Sequence, residues 1–581
     1  MPRISRSDSN LFDLPKGATV NSAGRVYINE GNFRVEPIEG KPYTSHEKIC
    51  IGVIQMDENG QKTNKMYANE TYHLKFSGEN RPLPPQKSDS LSIGPYALIK
   101  NIAEECGLIE ILSEVFDEDD VCLILDLSMY MLFSSSAIFQ HFPTWARKHV
   151  LFSNTIRSDS FISRFLGKKL EYSKIRLFCN KWASKHIGSG LVYFCYDSTN
   201  TNSRADGIYI VQKGYAKDDK TLKQVNTDYV VRQSDGLPLT FMEFPGSIVD
   251  IAEAKTMIKF IKSIKGDNNF KIVLVCDRGY ISEENIRAMK ENDIDCLLML
   301  RSNLKIYKEI VSGYKDLIKL NHRYIIDQDA GYYGITIEKD DYIPGIKLFF
   351  HLIFNNKLVV DDIASLYKRV EKKSKFLDNA IKRKKHFTEN EIKEHSKWHI
   401  LTIEEDGVIS VMSKGKNPHP CEKKAYIILS YTNDNDKINK DLEECGFFVL
   451  LTSICCTPLE ALNGYSKKDC VEKIFRALKS SLGMDVIGVE SIHTLHGKFL
   501  LWFVASILHA IIFNKTKNLR IKDHKNFTIP AIIMSIDSIE CDKNLITNKY
   551  ELRYIFDKKQ KNIAKEFNLT IEDIDKLIMD I

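Results

Sequence analysis

Tyr465, Lys468, Glu472 and Lys479 are spaced three, four and seven residues apart within GYSKKDCVEKIFRALKSSL (464–482). An α-helix turns about 100° per residue, so in a helix these four fall within about 60° of one another. Val471, Ile474, Phe475, Leu478 and Leu482 form an adjacent apolar stripe that faces a core. One carboxylate among two ammonium groups and a phenol, beside a buried seam, suits a metal ligand next to a phosphate backbone. The same spacing of Glu and Lys also makes an ordinary solvated helix face. Two further aspartates weigh toward the metal. LVYFCYDST (191–199) and KIVLVCDRGY (271–280) are apolar runs leading to Asp197 and Asp277. Both runs read as buried strands with an acid at or near the C-terminal end, the edge where open α/β sheets place their ligands. Two strand-end aspartates and a helical glutamate make the hard, oxygen-rich set that Mg²⁺ prefers.

The order Tyr465-x2-Lys468-x3-Glu472-x6-Lys479 resembles the Y-x2-R-x3-E-x6-K signature of bacterial insertion-sequence DDE transposases of the IS-four-like group, with Lys468 in place of the usual arginine. YDSTN (196–200), GYAKDDK (214–220), DGLPL (235–239) and CDRGYISEENI (276–286) resemble further blocks of that group in the expected order. FFVLLT (447–452) and HGKFLLWFVASILHA (496–510) fit the flanks of its last helix. The resemblance spans roughly residues 90–570, and it is of the large type with a β-rich insert before the catalytic glutamate.

The resemblance implies a DNA transposase that cleaves strands at its element's ends and transfers them into target DNA by cut-and-paste. Such in-line displacements at phosphorus employ two Mg²⁺ ions about 3.5–4 Å apart, and Mn²⁺ can replace them. Asp197 is then the ligand bridging both ions, with Asp277 on one and Glu472 on the other; the residues alone do not distinguish these roles. Tyr465, Lys468 and Lys479 are implied phosphate contacts. Lysine at 468 keeps the charge but gives up the bidentate geometry of arginine. Implied partners are double-stranded DNA, as terminal inverted repeats and target, and a second copy in a synaptic homodimer. An RNase H-like nuclease without strand transfer needs the same three acids. A catalytically silent, domesticated transposase acting as a DNA-binding protein does not.

Composition bounds the rest. The 581 residues are 43% hydrophobic and 27% charged, with a formal net charge of +5. That length implies two to four domains. Thirteen cysteines include no CxxC pair, so a zinc knuckle is not expected. MPRISRSDSNLFDLP has no apolar core of signal-peptide length. The apolar run Phe499–Phe513 reads as a buried helix rather than a membrane span. A reducing cytoplasm, with the protein nucleoid-associated in a bacterium, is the expected setting.

These elements imply an α/β chain: an RNase H-like mixed sheet interrupted by a mainly β insert, preceded by a β-rich module and a helical domain. Residues 1–90 carry strand-like RVYINEG, KICIGVIQMDENGQKT and MYANETYHLKF, closed by a linker at Pro82, Pro84, Pro85 and QKSDS. This module either recognises element ends or is a structural arm. Residues 91–189 are helical, with Arg147, Lys148, Arg157, Arg164, Lys168 and Lys169 available to phosphates. The core occupies 190–300 and returns at 446–515. Between Asp277 and Glu472 lies far more chain than a compact RNase H-like core needs, so 301–445 is read as an inserted, mainly β subdomain. It contains a helical pair bearing Lys368, Arg369, Lys372, Lys373, Lys375, Lys382, Arg383, Lys384 and Lys385. That pair is either a DNA-contacting arm or a solvated hairpin paired with Glu371, Asp378 and Glu389. Trp398, at the insert's edge, is the tryptophan expected to stack on a base. Residues 516–581 read as a helical tail.

Overall fold

The computed structural model describes residues 10–579 apart from 39–40, 58–59, 70, 73–87, 215–220, 249, 266–269, 413–418, 545 and 548. The Pro82–Pro85 linker and nearly all of GYAKDDK therefore lie outside the described residues. The chain divides into two compact units, one of residues 1–178, 203–209 and 477–581, the other of 179–202 and 210–476.

The second unit holds the main sheet. Its strands are β1 (Leu191–Ser203), β2 (Lys223–Arg232), β3 (Leu237–Pro245), β4 (Lys271–Cys276), β5 (Ile294–Met299), β6 (Ile325–Asp327), β7 (Tyr332–Ile343), β8 (Ile346–Asn355) and β9 (Phe447–Thr452). They lie side by side in the order β6-β7-β8-β9-β5-β4-β1-β2-β3. β2 and β3 form an antiparallel hairpin turned at Gly236, whose φ of 68° is open to glycine without a Cβ clash. β4 runs parallel to both β1 and β5. Two antiparallel steps at one side of β1 and two parallel strands at the other give the RNase H-like order. β4 is central and parallel, which explains its run Ile272–Cys276: all five side chains are buried, as both faces of such a strand require. The connecting helices are α1 (Asp250–Lys265) and α2 (Glu283–Glu291). Ser282 caps α2 by accepting from the Asn285 amide at 3.1 Å.

The stretch 301–445 does not stand apart as a whole. β6, β7 and β8 continue the main sheet, and β8 pairs antiparallel with β9. A second, three-stranded sheet forms from His386–Phe387, His399–Met412 and Pro420–Asn433. The basic segment is one 27-residue helix, Asn356–Lys382, followed by the short helix Glu389–His395.

In the other unit, a five-stranded antiparallel sheet occupies residues 11–68, around Val26, Ile51, Ile54, Met66 and Ala68. Helices Gly94–Glu105, Leu108–Ser113 and Glu118–Ser134 follow, and Gly107 breaks the first from the second at φ 70°. Helix Ile492–Lys515 is apolar on every side, and 89% of its most apolar window is buried, so it is a core helix. The expected helical tail is helical at Ile529–Asp537, Lys558–Glu566 and Ile571–Met579. It also contributes two strands, Glu540–Lys543 and Tyr550–Leu552, which form a sheet with Ser90–Ser92. Short alternating segments between helices carry little periodicity, so these strands become legible only when Ser90–Ser92 supplies their ladder partner.

Candidate active site

Asp197 and Asp277 are placed by one register. Cys276 pairs with Tyr196 across β4 and β1, so the next residue on each strand is an aspartate, and the two project from neighbouring positions. β4 ends there, whereas β1 continues to Ser203. Asp197 is therefore within its strand rather than at its end. Each carboxylate is oriented by a following amide: Ser198 N donates to Asp197 Oδ1 at 2.9 Å and Arg278 N to Asp277 Oδ1 at 2.8 Å.

The run 464–482 is two helices rather than one. α3 (Pro458–Ser466) stops before a turn at Lys467 and Lys468, and α4 (Asp469–Ser481) starts anew. The Lys468 and Val471 amides reach back only three residues, to the carbonyls of Tyr465 and Lys468. Two features flank the break. Gly464 is pressed onto the sheet, where a Cβ would come within 2.9 Å of Leu297 and 3.4 Å of Tyr193. Asp469 and Glu472 then begin α4, where negative charge at a helix N-terminus is favoured. Tyr465 thus ends one helix, Lys468 sits in the turn, and Glu472 lies in the first turn of the next.

The break still gathers the side chains. Lys468 Nζ lies 3.5 Å from Asp197 Oδ2 and 3.6 Å from Glu472 Oε1. The Tyr465 hydroxyl donates to Asp277 Oδ1 at 3.4 Å. Lys468 is 6% exposed, while the Glu472 side chain is 57% exposed. Burial acts to strip the Lys468 proton, but Asp197, Asp277 and Glu472 outweigh it, and the amine is held above the ordinary lysine range. It is an ammonium. Burial and then the charge of Asp277 push the Tyr465 phenol well up, so it stays protonated and can donate. Lys479 is half-buried at the far end of α4 and belongs to the other unit.

The donor set is that of a hard cation. The ammonium of Lys468 lies between the carboxylates of Asp197 and Glu472, and the charge of Asp277 acts on the same amine, so the pocket already holds positive charge. Among the described residues no three His, Cys, Asp or Glu side chains stand close enough to enclose a metal ion. The chemistry of the residues fits a divalent metal on condition that the amine moves aside.

Two residues unmarked by any motif hold this arrangement. Gln233, just past β2, donates to the Gly464 carbonyl at 2.7 Å and to Cys195 Sγ at 3.6 Å, tying the end of α3 to β1. Arg301, just past β5, donates to the Arg278 and Gly279 carbonyls, both at 2.7 Å, and so pins the turn after Asp277. A glutamine in a hairpin and an arginine after a strand give no sequence signal, because most of their partners are backbone carbonyls distant in sequence. Trp398 is a correction: it is 8% exposed, packed with Leu366, Val370, Ile438 and Cys445, and its indole N–H donates to Asp441 at 2.8 Å. Its apolar ring is drawn under helix Asn356–Lys382, which leaves no free face for a base. All thirteen cysteines are free thiols.

No curated protein matches the chain. Among solved structures, a piggyBac transposase synaptic complex with hairpin DNA is similar over 82% of this chain and 86% of its own, at 10% identity and a TM-score of 0.36. The family model described as a transposase DDE domain matches residues 190–508. That match takes in β1 through α4, with Asp197, Asp277 and Glu472, and it covers more than half of the sequence; the chain belongs to the DDE transposases.

Proposed function

We propose that this DDE transposase is of the IS-four-like insertion-sequence group, cutting DNA at its element's terminal inverted repeats and joining the freed ends to target DNA. The observation that supports the reading is the Lys468 ammonium set between Asp197 of β1 and Glu472 of α4, with Asp277 placed next to Asp197 by the β1–β4 register. In this reading Asp197, Asp277 and Glu472 would hold two Mg²⁺ ions. When bound, such a pair neutralises charge on the attacking and leaving oxygens of an in-line displacement. Tyr465 fixes Asp277 by its hydrogen bond, and Gln233 and Arg301 fix the backbone that carries the acids. Glu472 is the most exposed of the three and stands toward incoming DNA.

Other parts serve positioning. Lys479 contacts a backbone phosphate, and Lys468 does so once freed from the acids. Lys368, Arg369, Lys372 and Lys382 are exposed on helix Asn356–Lys382, beside a long hairpin of largely exposed strands. Such a basic arm suits sequence-independent contacts to flanking DNA. The working form is a homodimer on paired ends in the bacterial cytoplasm. A joining assay tests the reading: the protein, Mg²⁺ and a pre-cut terminal-repeat oligonucleotide are mixed with plasmid. Covalent transfer of the 3′ end into plasmid is the expected result. Nicking without joining would leave a nuclease and overturn the transfer step.

A further inference from the structure

Lys468 does something other than wait for DNA. We infer that its ammonium is a resident counter-ion that occupies the metal locus between Asp197 and Glu472 in the metal-free enzyme, so that divalent metal must displace it to bind. The inference rests on the reading of Asp197, Asp277 and Glu472 as metal ligands.

Three observations carry it. The amine stands 3.5 and 3.6 Å from oxygens of two different acids. Bonds from oxygen to Mg²⁺ are about 2.0–2.1 Å, so a metal that joined these oxygens would take the place of the amine. Lys468 is also 6% exposed, and its ammonium has the carboxylates, not bulk water, as its counter-charge. Finally, Lys468 sits in the turn between α3 and α4, not inside either helix. Its four-carbon stem rotates about side-chain bonds, so the amine can leave the acids with the backbone of the turn unchanged.

The arrangement has a purpose that follows from charge. Three carboxylates converging without a cation repel one another; the ammonium holds Asp197 and Glu472 close before metal arrives. It also competes with metal, so full occupancy is deferred until DNA phosphates offer the displaced amine a new partner. An arginine at this position would present a wider planar group, whereas lysine is a compact point charge that resembles a small cation in size.

The test is direct metal binding by the full-length protein without DNA, with Mn²⁺ titrated and the free ion read by electron paramagnetic resonance. Lys468→Met removes the competitor. Mn²⁺ affinity then rises by about 5- to 150-fold, the usual span of coupling between linked ligands. The melting temperature of the metal-free variant falls below that of the wild type, and its rise on adding Mn²⁺ is larger. Lys468→Arg keeps the positive charge and does not show the tightening of the neutral variants. Lys468→Gln is the second neutral variant, should methionine disturb the fold, and it tightens binding in the same direction. Asp197→Asn separates the two claims. If it loses Mn²⁺ binding while neither neutral Lys468 variant tightens it, the counter-ion role is overturned and the metal site stands. If Asp197→Asn binds Mn²⁺ as well as the wild type, the metal-site reading itself is overturned.

Discussion

Cys276 of β4 lies opposite Tyr196 of β1 in a parallel register, and this one pairing sets Asp277 beside Asp197. Because side chains alternate along a strand, a slip of one residue would send one aspartate to the opposite face. The continuous parallel ladder from Lys271–Leu191 to Cys276–Tyr196 holds that register.

The acids are therefore expected to act as a set. Asp197→Asn, Asp277→Asn and Glu472→Gln each reduce cleavage of terminal-repeat DNA by at least about 100-fold, as losing a contact that metal binding depends on does. Binding of the same DNA, measured by gel shift in the absence of metal, stays near the wild-type level. Any one variant that cuts at the wild-type rate removes that residue from the ligand set.

Tyr465 touches Asp277 only through its hydroxyl. Tyr465→Phe keeps the ring and its packing, so the melting temperature should hardly move. Cleavage should fall about 10-fold, the lower range for a group that orients a ligand. An equal loss of stability and activity would instead mark the tyrosine as a packing residue.

Gly464 controls how closely α3 approaches the sheet. Gly464→Val places new atoms against Leu297 and Tyr193, and overpacking of this kind costs about 1–3 kcal/mol. Chemical denaturation reads that loss. Cleavage should fall further than stability alone requires, because the displaced helix end carries Tyr465 and leads into Lys468.

Lys479 is the simplest phosphate contact to remove. Lys479→Ala should weaken binding to terminal-repeat and unrelated DNA alike. It should also make the plot of log affinity against log salt shallower by about one unit. An unchanged slope would mean the ammonium never meets the backbone.

His351 gives a pH dependence of stability. It is fully buried on β8, where its ring bonds Thr336 at 2.9 Å. Burial lowers its pKa from 6.5 to about 4. Between those values the unfolded chain takes up a proton that the folded chain refuses, so stability is full above pH 6.5 and declines as pH falls toward 4. His351→Asn keeps a polar partner for Thr336 and removes this titration. Its melting temperature should fall less steeply between pH 6.5 and 4 than that of the wild type.

The chain's chemistry was written in its sequence wherever it depends on residue type at short range. Apolar runs leading to Asp197 and Asp277 are local facts, and so are the Ser282 cap and the turn at Gly236. The spacing of Lys468 and Glu472 set those two side chains within 3.6 Å of each other, although a continuous helix was the wrong carrier for them. Tertiary structure decided what spacing cannot express. The break between α3 and α4 put Lys468 in a turn, from which its amine reaches two carboxylates. Pairing with β9 drew β8, and β7 and β6 after it, into the main sheet. Trp398 was buried by a helix that starts more than forty residues before it. Gln233 and Arg301 found their roles in backbone carbonyls that any residue could have supplied. Periodicity records which face of a segment is apolar; it does not record which other segment will cover that face, and in this protein the covering segment fixes the distances on which the chemistry depends.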